Sequence, residues 1–217
     1  MLFRSSVKPG EVHALVGENG AGKSTLIKIV TGATTRDSGE MVFDGSVVPI
    51  QHTRRDAEEL GIAVIYQELS LIPGMTVAQN IFLGKEPLRK GLGLIDGRKM
   101  NAMASELIAR YDFPLKPTDI IDTISIAQRQ LVEILKALSG KASIMIMDEP
   151  TSSLTKTEVE LLFRIIATLK AEGISVLYIS HRMEEVYALS DRVTVLRDGK
   201  LRSEEHTSEL QSPNTTS

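Results

Sequence analysis

Apolar residues along this chain keep two rhythms. Short runs with almost no polar break, at 12–16, 62–65, 144–147, 175–178 and 192–196, predict strands buried on both faces. Elsewhere the apolar positions return at helical spacing: Leu26, Ile27, Ile29 and Val30; Leu131, Ile134, Leu135 and Leu138; Leu162, Ile165, Ile166 and Leu169. The rhythms alternate from residue 11 to about 32 and again from 141 to 196, the pattern of an α/β domain with a parallel sheet wrapped by helices. Residues 41–48 predict a hairpin around Asp44-Gly45, an antiparallel β appendage. Between about 68 and 140 the strands stop. There 76–83 and 96–110 predict helices, the second burying Met100, Met103, Leu107 and Ile108, with Pro73-Gly74 and Gly91-Leu92-Gly93 as hinges.

The first strand runs into Gly17-Glu18-Asn19-Gly20-Ala21-Gly22-Lys23-Ser24-Thr25, which fits G-x-x-x-x-G-K-[ST]. Strand, glycine-rich turn and helix start together form a cradle for polyphosphate. The glycines let successive N–H groups converge on one anion, and the helix dipole adds positive potential. Lys23 is placed to reach the β- and γ-phosphates and the Ser24 hydroxyl to take a position on Mg²⁺. A chance glycine-rich turn has no need of both flanking elements.

Four later stations narrow the use of the nucleotide. The strand at 144–147 ends in Asp148-Glu149-Pro150, which delivers two carboxylates at its tip. Asp148 fits the second acid of the P-loop arrangement, holding Mg²⁺, and Glu149 fits the group that polarises an attacking water. Ser125-Ile126-Ala127-Gln128 opens a helix as an S-x-x-Q capping box. The same serine and N–H groups could face a γ-phosphate held by another domain, and spacing does not decide between the two readings. Gln67 follows the strand at 62–65 and His181 the strand at 175–178. Either residue alone is an ordinary strand-end side chain.

In that order, P-loop, Gln67, serine-capped helix, Asp148-Glu149 and His181, the chain resembles ATP-binding-cassette (ABC) ATPases. The resemblance is to the N-terminal cassette of simple-sugar importers, the ribose, galactose and xylose class. It is carried by GENGAGKSTLIKIVTGATTRDSGEMVFDG, IAVIYQELSLIPGMTVAQNIFLGKEP, ISIAQRQLVEILKALS, IMIMDEPTSSLT and VLYISHRMEEVYALSDRVTVLRDGK, from about Phe3 to Leu201. It implies a P-loop NTPase fold with an inserted helical subdomain, and ATP and Mg²⁺ as cofactors. It implies nucleotide binding by Gly17 to Thr25 and Mg²⁺ flanked by Ser24, Gln67 and Asp148. Glu149 is expected to activate water, and His181 to contact the γ-phosphate. Ser125, Ile126, Ala127 and Gln128 are expected to serve the nucleotide of a second cassette, normally fused in the same polypeptide, with Ser153-Leu154 in the loop that links the two sites. The resemblance further implies transmembrane permease subunits as partners, reached through the segment after Gln67. A periplasmic sugar-binding protein is an indirect partner, and the location is peripheral, on the cytoplasmic face of the inner membrane.

Departures from the family pattern are few. Ile126-Ala127 stand where the signature usually has two glycines, and Ala127 brings a methyl to a place of close backbone approach. Thr155 replaces a common aspartate and starts T-x-x-E with Glu158, a second capping box. The aromatic residue that stacks on adenine has no counterpart, Phe3 matching an apolar strand residue instead. Asp198-Gly199 predicts a hairpin turn, yet RSEEHTSELQS follows, polar, not alternating, and similar to a translated sequencing-adapter oligonucleotide. The native cassette is therefore expected over 1–201, with 202–217 a non-native, disordered tail outside the fold.

Composition fits a single domain of 217 residues, 42% hydrophobic and 24% charged. A net charge of −3 and few aromatic residues argue against nucleic acid as a partner. No cysteine is present, which excludes disulfides and thiolate metal sites. No N-K-x-D loop occurs, which argues against a GTPase. Three functions remain: an energy-coupling subunit of a sugar importer, a non-transport ABC protein, and a fragment that binds nucleotide without hydrolysing it. The second would bring long coiled-coil insertions or strongly basic linkers, and neither is present.

Overall fold

A computed structural model describes residues 5–206 except 90 and 92. In chain order its strands are β1 (Val12–Val16), β2 (Val42–Phe43), β3 (Ser46–Val47), β4 (Ile62–Ile65), β5 (Ile144–Asp148), β6 (Ser175–Ile179), β7 (Arg192–Arg197) and β8 (Lys200–His206). The helices are α1 (Lys23–Val30), α2 (Arg54–Glu59), α3 (Val77–Ile81), α4 (Gly97–Arg110), α5 (Ile126–Ser139), α6 (Lys156–Ala171) and α7 (Met183–Leu189).

The apolar runs become one sheet in the order β4-β5-β6-β1-β7-β8, parallel from β4 to β7. Both faces are covered, which is why β1 and β6 are buried at every position. On one face Leu131, Ile134 and Leu135 of α5 and Leu162, Ile165, Ile166 and Leu169 of α6 pack against Met145, Met147, Val176 and Tyr178. On the other, Ile27 of α1 and Ala57 of α2 pack against Leu15, Ile146, Leu177 and Ile179. β2 and β3 form the separate two-stranded appendage. The helical insertion joins the first core through Val77, Ile81, Met100 and Ile108, with Met103 and Leu107 only partly buried against it.

Two helices and one strand differ from the sequence expectations. α2 has too few apolar residues to show a face, but Thr53 and Asp56 close a capping box at its start. α7 buries only Glu185 and Val186, and the residue before it, Arg182, offers no side-chain acceptor to the first N–H groups of the helix. The expectation that the chain leaves the fold from Arg202 is corrected for 202–206, which are not disordered. β8 returns along β7 from Arg197↔Lys200 to Arg192↔His206, with a bulge at Val195/Leu196. Backbone pairing on an open strand edge needs no apolar alternation, and Glu204 adds an ion pair to Arg192. Phe3, expected to match a strand residue, Leu92 of the second hinge and residues 207–217 lie outside the described residues.

Candidate active site

The carboxyl ends of β1, β4, β5 and β6 lie along one edge of the sheet, where α/β folds bind their ligands. β1 leads into the glycine turn at Gly17, and a methyl there would sit 2.4 Å from the Leu196 carbonyl oxygen, so only glycine fits against β7. Gly22 caps α1 in a left-handed conformation, φ 104°, and gives no side-chain bond to the helix start. The first N–H groups of α1 are therefore left for a ligand. The Lys23 ammonium curls back over the turn, donating to the Gly17 carbonyl at 2.6 Å and the Glu18 carbonyl at 3.1 Å.

Asn19, Gly20, Gly22, Lys23, Ser24, Thr25, Gln67, Asp148 and Glu149 line one open cavity of about 250 Å³. Gln67 reaches it from the end of β4, and the two acids from the end of β5. Burial pushes the Asp148 carboxyl above the usual range, and the Glu149 charge adds to this, while Lys23 opposes it. Glu149 has φ 47°, a left-handed backbone that glutamate adopts only when its surroundings hold it there. Its N–H donates to the Ile179 carbonyl at 2.9 Å, tying the β5 tip to β6. His181, just past β6, brings Nδ1 to 3.2 Å from Glu149 Oε1.

This donor set suits a magnesium–triphosphate. Among the described residues no three His, Cys, Asp or Glu side chains converge as a metal cage. A cation here would have one carboxylate, Asp148, with Ser24 and Gln67, and would share its remaining positions with phosphate oxygens and water, as Mg²⁺ does. Bound there, it would supply charge neutralisation. Around it, N–H groups and Lys23 would be available to hold phosphate, and Glu149 to take a proton from water.

A family model described as "ABC transporter" matches residues 3–152. The chain belongs to the ABC transporter family. It is 53% identical over 194 residues to the ribose import ATP-binding protein RbsA 1 of Streptomyces avermitilis, covering 89% of this chain and 37% of that protein. It is 50% identical to ribose import ATP-binding protein RbsA of Geobacillus kaustophilus, covering 89% and 39%. The chain thus spans less than two-fifths of the length of these relatives. Among solved structures, the ADP conformation of an ATP-binding cassette of an ABC transporter superposes with a TM-score of 0.82 at 27% identity, covering 94% of this chain and 84% of that one. The fold is that of these cassettes, a P-loop NTPase α/β domain.

Ser125 to Gln128, the expected signature, are not among the residues that line this cavity. Ser125 caps α5, its Oγ accepting from the Gln128 N–H at 3.2 Å while Gln128 Oε1 accepts from the Ser125 N–H at 3.0 Å. Ala127 is buried and Ile126 exposed. Sequence reasoning passed over Glu133, whose buried carboxylate accepts from the N–H and hydroxyl of Ser70 and so anchors the segment after Gln67 to α5. It also passed over Thr151, Tyr178, Ser180 and Glu185, which meet behind the Glu149–His181 contact. The one signal in the sequence was an acid at 185 beside Val186, three residues after Arg182.

Proposed function

We propose that this chain is the first nucleotide-binding cassette of a sugar importer, binding ATP with Mg²⁺ and hydrolysing it against a second cassette. The observation that carries the reading is the uncapped start of α1, opening into the same cavity as Asp148, Glu149 and Gln67. The placement of Ser125 to Gln128 outside that cavity supports a head-to-tail pair in which each signature serves the other's nucleotide. By itself the chain then binds ATP, and turnover requires the partner cassette.

The names of the ribose import relatives support a monosaccharide as the transported substrate. No helix among the described residues is long and apolar enough to cross a membrane. Passage of sugar is accordingly assigned to permease subunits, and contact with the periplasmic binding protein is indirect. A groove of about 350 Å³ between the helical insertion and the core, bordered by Arg54, Tyr66, Lys85, Glu133 and Lys136, supports permease docking beside Gln67 at the cytoplasmic face. The foreign origin of residues 202–217 belongs to the same reading; source DNA continuing as cassette codons beyond Leu201 would refute it.

Calorimetry with Mg-ATP tests the central claim. Binding by the wild-type chain, weakened in Lys23→Ala, is the expected result, and equal heats for both proteins would end it.

A further inference from the structure

Behind the Glu149–His181 contact lies a carboxylate that phosphate chemistry does not use. Glu185, in the first turn of α7, is 8% exposed. Its Oε2 accepts from three hydroxyls: Tyr178 at 2.7 Å, Thr151 at 2.8 Å and Ser180 at 3.2 Å. Its Oε1 accepts from Arg182 Nη1 at 3.1 Å. Burial pushes this carboxyl up, but the bonds from Tyr178, Thr151 and Arg182 outweigh it, and the group sits below its ordinary value. The Tyr178 phenol, pushed up chiefly by burial, stays a donor.

The donors have a particular distribution. Thr151 lies two residues past Glu149, in the turn after the left-handed backbone. Ser180 and Arg182 flank His181, and Ser180 Oγ also accepts from the Arg182 N–H at 3.0 Å. One ionised group therefore grips the loop that carries Glu149 and both neighbours of His181. Glu149 and His181 stand on separate strand ends, and a left-handed glutamate needs surroundings that hold it. The carboxylate supplies a common anchor for the two loops.

We propose that Glu185 is a positioning residue for turnover, holding Glu149 and His181 together through Thr151, Ser180 and Arg182. This rests on the hydrolytic role proposed above. An acid that only filled a buried position would affect stability and leave the Glu149–His181 geometry and the split between kcat and KM unchanged.

The test uses Glu185→Gln, with Thr151→Val as a milder variant that retains the carboxylate and decides the matter if the first fails to fold. Mg-ATP affinity and crystal structures are measured on this chain, and turnover on the full-length two-cassette protein. Affinity and KM are expected to stay within about twofold of wild type. His181 Nδ1 and Glu149 Oε1, 3.2 Å apart in the wild type, are expected to separate beyond hydrogen-bond reach. With the two groups misplaced, kcat should fall by roughly ten- to hundredfold. A pair that stays at hydrogen-bond distance, an unchanged kcat, or kcat and KM moving together would each overturn the proposal. If wild-type protein bound no ATP, the proposed function would fall, and the variant crystal structures alone would decide what Glu185 holds.

Discussion

Helices α1 and α5 both begin where the sequence points to an anion, and they begin differently. α1 starts at Gly22, left-handed and without a side-chain cap, so its first N–H groups face the cavity. α5 starts at Ser125 with a closed capping box, its serine Oγ and its Gln128 amide already engaged. The first helix end needs a ligand to satisfy it; the second is satisfied by its own residues. A hydroxyl can still donate while it accepts, and on the proposed function the Ser125 proton is the one offered to a phosphate brought by a partner. On the same proposal, the contrast separates a site that binds unaided from one that completes a neighbour's.

The hardest blow to that contrast falls at Glu149, the proposed general base. Glu149→Gln is expected to keep ATP binding and cut turnover of the two-cassette protein by about 10²–10⁴-fold; single-turnover assays check it, and unchanged turnover removes Glu149 as the base. Lys23→Ala removes charge-assisted bonds worth about 1.5–3 kcal/mol, hence weaker binding by roughly 10- to 150-fold in calorimetry.

Ser125 gives the sharpest division. Ser125→Ala should cost about 1 kcal/mol through removal of the cap, read by denaturant unfolding. Ser125→Asp keeps the cap but sets a charge against phosphate; stability held and turnover abolished would place the serine opposite a nucleotide. If both variants turn over normally, the cap is its whole role.

Asp148 tests the cradle through pH. Its folded carboxyl lies above the ordinary value, so the native state binds the proton more tightly than the unfolded chain. Stability then falls as pH rises from the ordinary carboxylate value through the folded one, and the deficit persists above it. Asp148→Asn should raise the neutral-pH melting temperature, with the gain vanishing in acid, while it weakens the Mg²⁺ dependence of ATP binding. The smallest effect belongs to Thr155→Ala, about 1 kcal/mol of stability with no change in nucleotide affinity.

Much of this was legible because it is local. Gly17 to Thr25 declare their turn by glycines and flanking periods, and the Ser125–Gln128 and Thr155–Glu158 boxes declare helix starts over four residues. α2 and α7 were not legible because six and seven residues with one or two inward side chains show no period. β8 was missed because an edge strand is specified by the neighbour it pairs with, and its polar residues carry no alternation.

The sequence by itself determined the α/β alternation, the phosphate-cradling turn and the order of the functional stations, since each rests on spacing within a few residues. Only the tertiary structure decided that Gln67, Asp148 and Glu149 meet Lys23 and Ser24 in one cavity, that His181 touches Glu149, and that Ser125 stays away. Parallel strands in the order β4-β5-β6-β1 bring their carboxyl ends to one edge. That convergence comes from the pairing of strands far apart in the chain, which no local pattern records.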